Sequence, residues 1–294
     1  MQILYSIFNM IYQFLDSFSY LVLCAIGLAI IFGMMGIVNL AHGEFIMLGA
    51  YAVNFLTLAH VPLLLAIPIS AVCVGIFGFV IERLIIRHLY GRPMDSVVAT
   101  WGLSMILGQG MLIMMGPTFQ GGASTPLGSF TVGEATYSMY RVLLIVCAIA
   151  LLAFMLWLFM RTKFGLRARA TMQNHQIANS LGTNTNKMYT VTFMLGSAFA
   201  GLTGALYAPM ASITPNFGSG FIMESFVTVI VGGGNPLVGT LLSSGSLGIV
   251  HSSLSTFFGT YFGKLGLLIV AIIFIRILPN GFSGIAEKIA MKRR

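Results

Sequence analysis

The sequence predicts an all-α membrane protein of about eight embedded helices, with discontinuous half-helices and a weak internal two-fold repeat. Three observations predict it. Only 7% of the 294 residues are charged, against about 25% in a soluble domain. Apolar stretches long enough to cross a bilayer core as helix, about 20 residues, recur along the chain. The lysines and arginines gather in a few short loops, so the net charge of +8 reads as membrane topology and not as a nucleic-acid-binding surface. Residues 1–294 read as one polytopic domain in contact with the lipid bilayer.

Met1–Phe14 is apolar and aromatic with Asn9 and Gln13, which fits either an interfacial helix or the start of the first span. Ser17–Gly36 is one membrane thickness of helix. A polar stretch follows, and its helix is expected to run to about Leu58. Pro62–Ile86 is a span ending among Glu82, Arg83, Arg87, His88 and Arg92, after which Pro93 restarts the helix for Met94–Met115. Pro117–Ser138 is rich in Gly, Thr and Ser and holds no Lys or Arg. Tyr140–Met160 is a span closed by Arg161, Lys163, Arg167 and Arg169. Met188–Pro209 carries Gly196, Ala200, Gly204 and Ala208 at four-residue spacing, a small-residue face for close packing in lipid. The polar loop Ala211–Gly220 leads to the apolar Phe221–Val231, the glycines Gly232–Gly234, the helix Leu237–Leu254 and a last span, Leu265–Leu278.

The excess of Lys and Arg places residues 83–92, residues 161–187 and the C-terminal tail, with Lys288, Lys292, Arg293 and Arg294, in the cytoplasm. Pro117–Ser138 and Ala211–Gly220 fall on the other side. The side of the N-terminus is not set, because no Lys or Arg precedes Arg83. The N-terminus lacks the basic segment of a cleavable signal, so the spans themselves are expected to drive insertion. Cys24, Cys73 and Cys147 sit in apolar runs without metal spacing and are expected to be inert core residues.

Gly36–Tyr51, GIVNLAHGEFIMLGAY, is the polar fault in this apolar chain. Asn39, His42 and Glu44 in hydrocarbon each cost several kcal/mol (about that much per unsatisfied group) unless they find partners. The motif N-x-x-x-G-x5-G from Asn39 through Gly43 to Gly49 returns as Asn235, Gly239 and Gly245. Paired interruptions in two halves are a pointer to a transporter's pathway, so Asn39, His42, Gly43, Glu44, Asn235 and Gly239 are the candidate path residues. Asn39 and Gly43 rank above Glu44, since the second copy has Thr240 where the first has the acid. For His42 and Glu44 the alternatives are a pathway lining, a tie between helices, or a carboxylate favouring the helix dipole. Glu224 has the same ambiguity, and Lys264 at a span's outer end fits a snorkelling cation.

The segment 161–187, RTKFGLRARATMQNHQIANSLGTNTNK, is longer than a connection needs. Leu166, Ala170, Ile177 and Leu181 fall on one side at helical spacing, and Gly182 fits a helix stop. A short basic surface helix follows, either bound to anionic headgroups or docking a cytoplasmic partner. No catalytic constellation, metal site or cofactor site is expected. Gly259-Thr-Tyr-Phe-Gly263-Lys264-Leu265 is one residue short of a phosphate loop and lacks its Ser/Thr.

Taken together, GLAIIFGMMGIVNLAHGEFIMLGAY, FGLRARATMQNHQIANSLG and VIVGGGNPLVGTLLSSGSLGIV resemble the membrane subunits of ABC importers for branched-chain amino acids and related small solutes, from Ser17 to Phe282. Ala99-Thr100-Trp101-Gly102, Thr171-Met172-Gln173-Asn174, Pro215-Asn216-Phe217-Gly218 and Gly263-Lys264-Leu265-Gly266 look more like the urea and short-chain-amide permeases. Gly234-Asn235-Pro236 departs from the family's usual turn, and its Pro should stiffen it. The resemblance implies a bacterial inner-membrane importer with a second, homologous permease subunit, two cytoplasmic ATPase subunits and an extracytoplasmic solute-binding protein. It makes Arg167, Arg169, Gln173, Asn174, Ala178, Leu181 and Gly182 candidates for ATPase coupling. The favoured solute is urea or a short-chain amide. The alternatives are a branched-chain amino acid importer, a passive channel for small neutral solutes, and a secondary transporter, the last disfavoured because no chain of intramembrane acids accompanies Glu44.

Overall fold

A computed structural model describes residues 2–118, 127–133 and 135–284, with the side chains of residues 2–4 and 237 left aside. The basic C-terminal tail lies outside the described residues. The helices are α1 (Gln2–Met35), α2 (His42–Leu58), α3 (Leu63–Leu84), α4 (Pro93–Met115), α5 (Met139–Arg161), α6 (Lys163–Gln173), α7 (His175–Ser180), α8 (Thr185–Tyr207), α9 (Ser219–Gly232), α10 (Pro236–Phe258) and α11 (Thr260–Ile277), with one hairpin, β1 (Ser129–Val132) and β2 (Ala135–Ser138), before α5.

Six helices among the described residues are long and apolar enough to cross a membrane, those containing α1, α3, α4, α5, α8 and α11. α2, α9 and α10, also expected as embedded helices, are not among these six. α2 and α9 are short, at 17 and 14 residues. α10 is 23 residues long but is diluted by hydroxyls. Thr240, Ser243, Ser246, Ser252 and Thr256 bond back to carbonyls three or four residues earlier, which satisfies them without water. The N-terminal segment is continuous helix into the first span. At 34 residues, α1 is about 51 Å long.

The chain divides into two compact units, each drawn from separate stretches of sequence: 1–25, 125–155 and 224–294 in the first, and 26–124 and 156–223 in the second.

In the first unit, Leu21, Val231, Leu247, Leu267 and Ala271 form the core. α10 and α11 approach closely because a Cβ on Gly263 would run into the Ser255 side chain and one on Gly266 into Leu254. The hairpin was not foreseen in the Gly/Thr/Ser-rich loop. Gly133, at φ +67, starts its tight turn, and Tyr137 stacks edge-on against Phe8 and Tyr12 at 5.3 and 4.7 Å.

In the second unit α8 is the central strut. Gly196 and Ala200 take α1, Gly204 takes the backbone of α2 at Ile46 and Ala50, and Gly201 takes Val74 of α3. The small-residue face expected on this helix is therefore what α1 and α2 close upon, while α3 packs on Gly201, Ser197 and Ala198 outside that face. A Cβ on Gly49 would overlap the Gly201 carbonyl oxygen. Cys24 is buried as expected, but Cys73 is exposed on an apolar helix, and it is not a core residue.

Candidate functional site

The first break in helical structure, between α1 and α2, is built within the second unit. α1 stops at Gly36, which adopts φ +64 while its N–H still bonds Phe32 O at 2.9 Å. Only glycine enters this left-handed conformation at low cost, so the helix ends there. Residues 37–41 cross to α2 without helical structure, and Asn39 shapes the restart. Its side-chain oxygen accepts the Ala41 N–H at 3.1 Å, and its carbonyl accepts the His42 N–H at 3.2 Å. Asn39 is 0% exposed, and its Nδ2 has no partner among the described residues.

α4 holds this break through a single stripe. Its outer face exposes Met94, Val98, Trp101, Ile106 and Ile113, whereas Ser96 and Thr100 are buried. Together with Ser104 they recur every four residues, one face of a helix. Thr100 Oγ1 accepts the Leu40 N–H at 3.1 Å and donates to the Ser96 carbonyl at 2.7 Å. Ser104 Oγ donates to Glu44 Oε1 at 2.7 Å, while Glu44 Oε2 is buried with no partner among the described residues. Glu44 thus ties α2 to α4 and also stands in the first turn of α2, where a carboxylate favours the helix dipole. His42, 1% exposed, lies beside α1: a Cβ on Gly27 would come within 3.2 Å of its Cε1. Gly43 meets Gly218 of the α8–α9 loop, where a Cβ on Gly43 would stand 2.7 Å from the Gly218 carbonyl oxygen.

The second break, between α9 and α10, lies in the first unit and follows the same plan with a different register. Gly233 terminates α9 at φ +85, and Asn235 immediately precedes α10. The Asn235 side-chain oxygen accepts the Val238 N–H at 3.3 Å, and its carbonyl accepts the Gly239 N–H at 2.9 Å. It is thus an ordinary N-cap, whereas Asn39 sits three residues before its helix. The N-x-x-x-G alignment therefore puts Gly43 second in α2 and Gly239 fourth in α10. A Cβ on Gly239 would stand 2.6 Å from the Gly232 carbonyl oxygen, and Gly233 packs on Asn280, Gly281 and Ser283.

The segment 161–187 is two short helices. Asn174 divides them, capping α7 by accepting from the Gln176 and Ile177 N–H groups at 3.0 Å. Thr162 caps α6 through the Gly165 N–H at 3.1 Å. Arg167, Arg169, Gln173, Leu181 and Gly182 are exposed, with Leu166, Ile177 and Leu181 at 63%, 58% and 80% forming an apolar outer edge. Ala178, grouped with them in sequence, is 2% exposed and packs inward. Gly182 closes α7 at φ +85.

Several polar residues gained partners that sequence spacing did not reveal. Glu224 pairs with Lys264 at 2.8 Å, Asp16 with Arg141 at 2.6 Å, and Ser17 Oγ lies 3.0 Å from His251 Nδ1. Lys264 does more than snorkel. These pairs join residues 40 to 234 positions apart, so no local pattern announces them.

Apolar helices interrupted by polar, glycine-terminated breaks define the class the fold and site fit: a polytopic membrane permease. The family described as branched-chain amino acid transport system / permease component matches residues 10–278, and the chain belongs to that family, whose members are permease subunits of ABC importers. It is 29% identical over 285 residues to the high-affinity branched-chain amino acid transport system permease protein BraD of Pseudomonas aeruginosa, covering 90% of this chain and 92% of that one. It is 27% identical over 284 residues to LivH of Escherichia coli K12, covering 90% and 91%. The autoinducer 2 import system permease protein LsrC of E. coli is similar over a shorter stretch, 37% over 86 residues, or 29% of this chain and 25% of that one. No solved structure matches.

Proposed function

We propose that the chain is the permease subunit of an ATP-driven, binding-protein-dependent importer of branched-chain or closely related aliphatic amino acids. The observation that supports this most is the near full-length similarity to BraD and LivH, proteins named for that transport. The urea or short-chain-amide reading rested on four short motifs, and each has a packing role. Thr100 holds the α1–α2 break, Asn174 caps α7, Gly218 meets Gly43, and Gly263 and Gly266 let α11 approach α10. Residues held by packing say little about solute.

In this proposal the α1–α2 break lines the path. Asn39 Nδ2 is a donor and Glu44 Oε2 an acceptor, both buried and unpartnered among the described residues. A zwitterion offers the matching carboxylate and ammonium. Leaving such groups unsatisfied costs about 1–3 kcal/mol each, a cost that a solute's passage relieves. Asn235 and Gly239 set the start of α10. The exposed edge of α6 and α7, with Arg167, Arg169, Gln173, Leu181 and Gly182, couples to the ATPase. The protein acts as a single permease domain in the bacterial inner membrane with a cytoplasmic C-terminus. It works beside a second homologous permease, two ATPase subunits and an extracytoplasmic solute-binding protein.

Proteoliposomes containing the transporter assembled with its ATPases and binding protein test this by uptake of radiolabelled leucine and urea. Leucine uptake that requires both ATP and the binding protein is expected. ATP-driven uptake of urea alone would overturn the substrate, and uptake by this subunit alone down a gradient would overturn the importer class.

A further inference from the structure

A cavity of about 430 Å³ opens in the second unit between the end of α3 and the start of α8, lined by Phe79, Arg83, Arg87, Asn184, Asn186 and Lys187 among others. Three of its walls are cations, and no carboxylate lies within ion-pair distance of any of them among the described residues. The acid nearest in sequence, Glu82, does not line the cavity: it is 0% exposed and accepts the Tyr90 hydroxyl. Asp95 is engaged with Arg92 at 3.8 Å. Arg83 lies 5.6 Å over the Phe79 ring, which orients its guanidinium while leaving its N–H fork without a carboxylate. The N-terminus of α8 adds the positive end of a 23-residue helix.

Position and lining decide the kind of anion. The cavity sits where two span-length apolar helices, Leu63–Leu84 and Thr185–Met210, reach their polar ends. Its inner side is apolar, from Phe79, Val191 and Met194, and its outer side is cationic and amide-bearing. A free phosphate has no use for the apolar wall. A phospholipid has, since its acyl chains follow the helices while its headgroup meets the cations. We propose that this cavity binds the headgroup of an anionic phospholipid, a phosphodiester carrying a glycerol, with Arg83, Arg87 and Lys187 on the phosphate and the Asn184 and Asn186 amides on the glycerol hydroxyls.

The test is native mass spectrometry of the full-length chain in detergent, titrated with phosphatidylglycerol, with phosphatidylethanolamine of the same acyl chains, and with inorganic phosphate. Wild type is compared with the triple variant Arg83→Gln, Arg87→Gln, Lys187→Gln. A charge-matched control carries Arg92→Gln, Arg161→Gln and Arg276→Gln. Phosphatidylglycerol should bind the wild type and the control alike and the cavity variant on the order of a hundredfold more weakly. Lys187→Gln alone, at an exposed side chain, should give a smaller loss of the same kind and guards against misfolding of the triple variant. Equal binding of phosphatidylethanolamine, equal binding of inorganic phosphate, or undiminished phosphatidylglycerol binding by the cavity variant would each overturn the proposal. So would loss of ATPase capture in that variant with lipid binding unchanged, which would make the cavity a partner's docking surface.

Discussion

The two helix breaks share a plan and differ in how their asparagines are used. Both open with a left-handed glycine, Gly36 or Gly233, and both restart on an asparagine oxygen. Both also depend on a glycine that touches another backbone, Gly43 against Gly218 and Gly239 against Gly232. At α9–α10 the asparagine oxygen does an ordinary cap's work at a partly exposed site. At α1–α2 the asparagine is fully buried, the loop is held from outside by Thr100, and polar atoms remain over at Asn39 and Glu44. The shared motif thus bears on how a helix restarts, while a left-handed glycine ahead of it sets the stop. What surrounds the restart decides whether polar atoms are left without partners among the described residues.

Glycine changes should strike both breaks. Gly43→Val and Gly239→Val force a side chain into a neighbouring backbone, and each should cost about 3 kcal/mol, the upper end for overpacking. The readout is a drop in monodisperse yield and Tm in detergent, and a fall in only one variant would break the shared half of the comparison. Thr100→Val acts on the first break alone. It leaves the part-buried Leu40 N–H without its acceptor, at about 1 kcal/mol, the low end for a lost partner, and a thermal melt matching wild type would remove Thr100 from the account. Asn235→Ala removes a cap, worth about 1 kcal/mol, and should lower Tm modestly while sparing uptake. The paired variant Ile177→Glu, Leu181→Glu lies on an exposed edge that neither break uses. Its stability should stay within about 0.5 kcal/mol of wild type, while stimulation of the partner ATPase is lost. Normal stimulation would sink the coupling assignment.

The helices were legible because lipid imposes length and apolarity, and glycines and prolines mark where they stop. Gly36, Pro93, Gly182 and Gly233 each end or begin an element as their chemistry requires. α10 was legible as helix, but its back-bonded hydroxyls blur the span count. The hairpin before α5 was missed because four-residue strands in a Gly/Thr/Ser-rich loop leave almost no periodic signal. At the site, Asn39, His42 and Glu44 stood out as polar residues in hydrocarbon. The groups that hold the break did not, since Thr100, which accepts the Leu40 N–H, and Ser104, which donates to Glu44, each lie sixty positions from the residue they bond. The four-residue spacing of Ser96, Thr100 and Ser104 on an otherwise apolar helix was the available signal. Ala178 was grouped with its exposed neighbours because a single helix was assumed where Asn174 makes two. The motifs read as marks of a solute class also have packing roles, so they discriminate poorly between solutes.

The most direct measurement is the initial rate of ATP-driven leucine uptake by the assembled transporter in proteoliposomes, comparing Asn39→Ala with Asn235→Ala at matched amounts of folded protein. The account predicts a loss of about tenfold or more for Asn39→Ala, the equivalent of about 1.4 kcal/mol, and a near wild-type rate for Asn235→Ala. Equal rates for the two variants would contradict it.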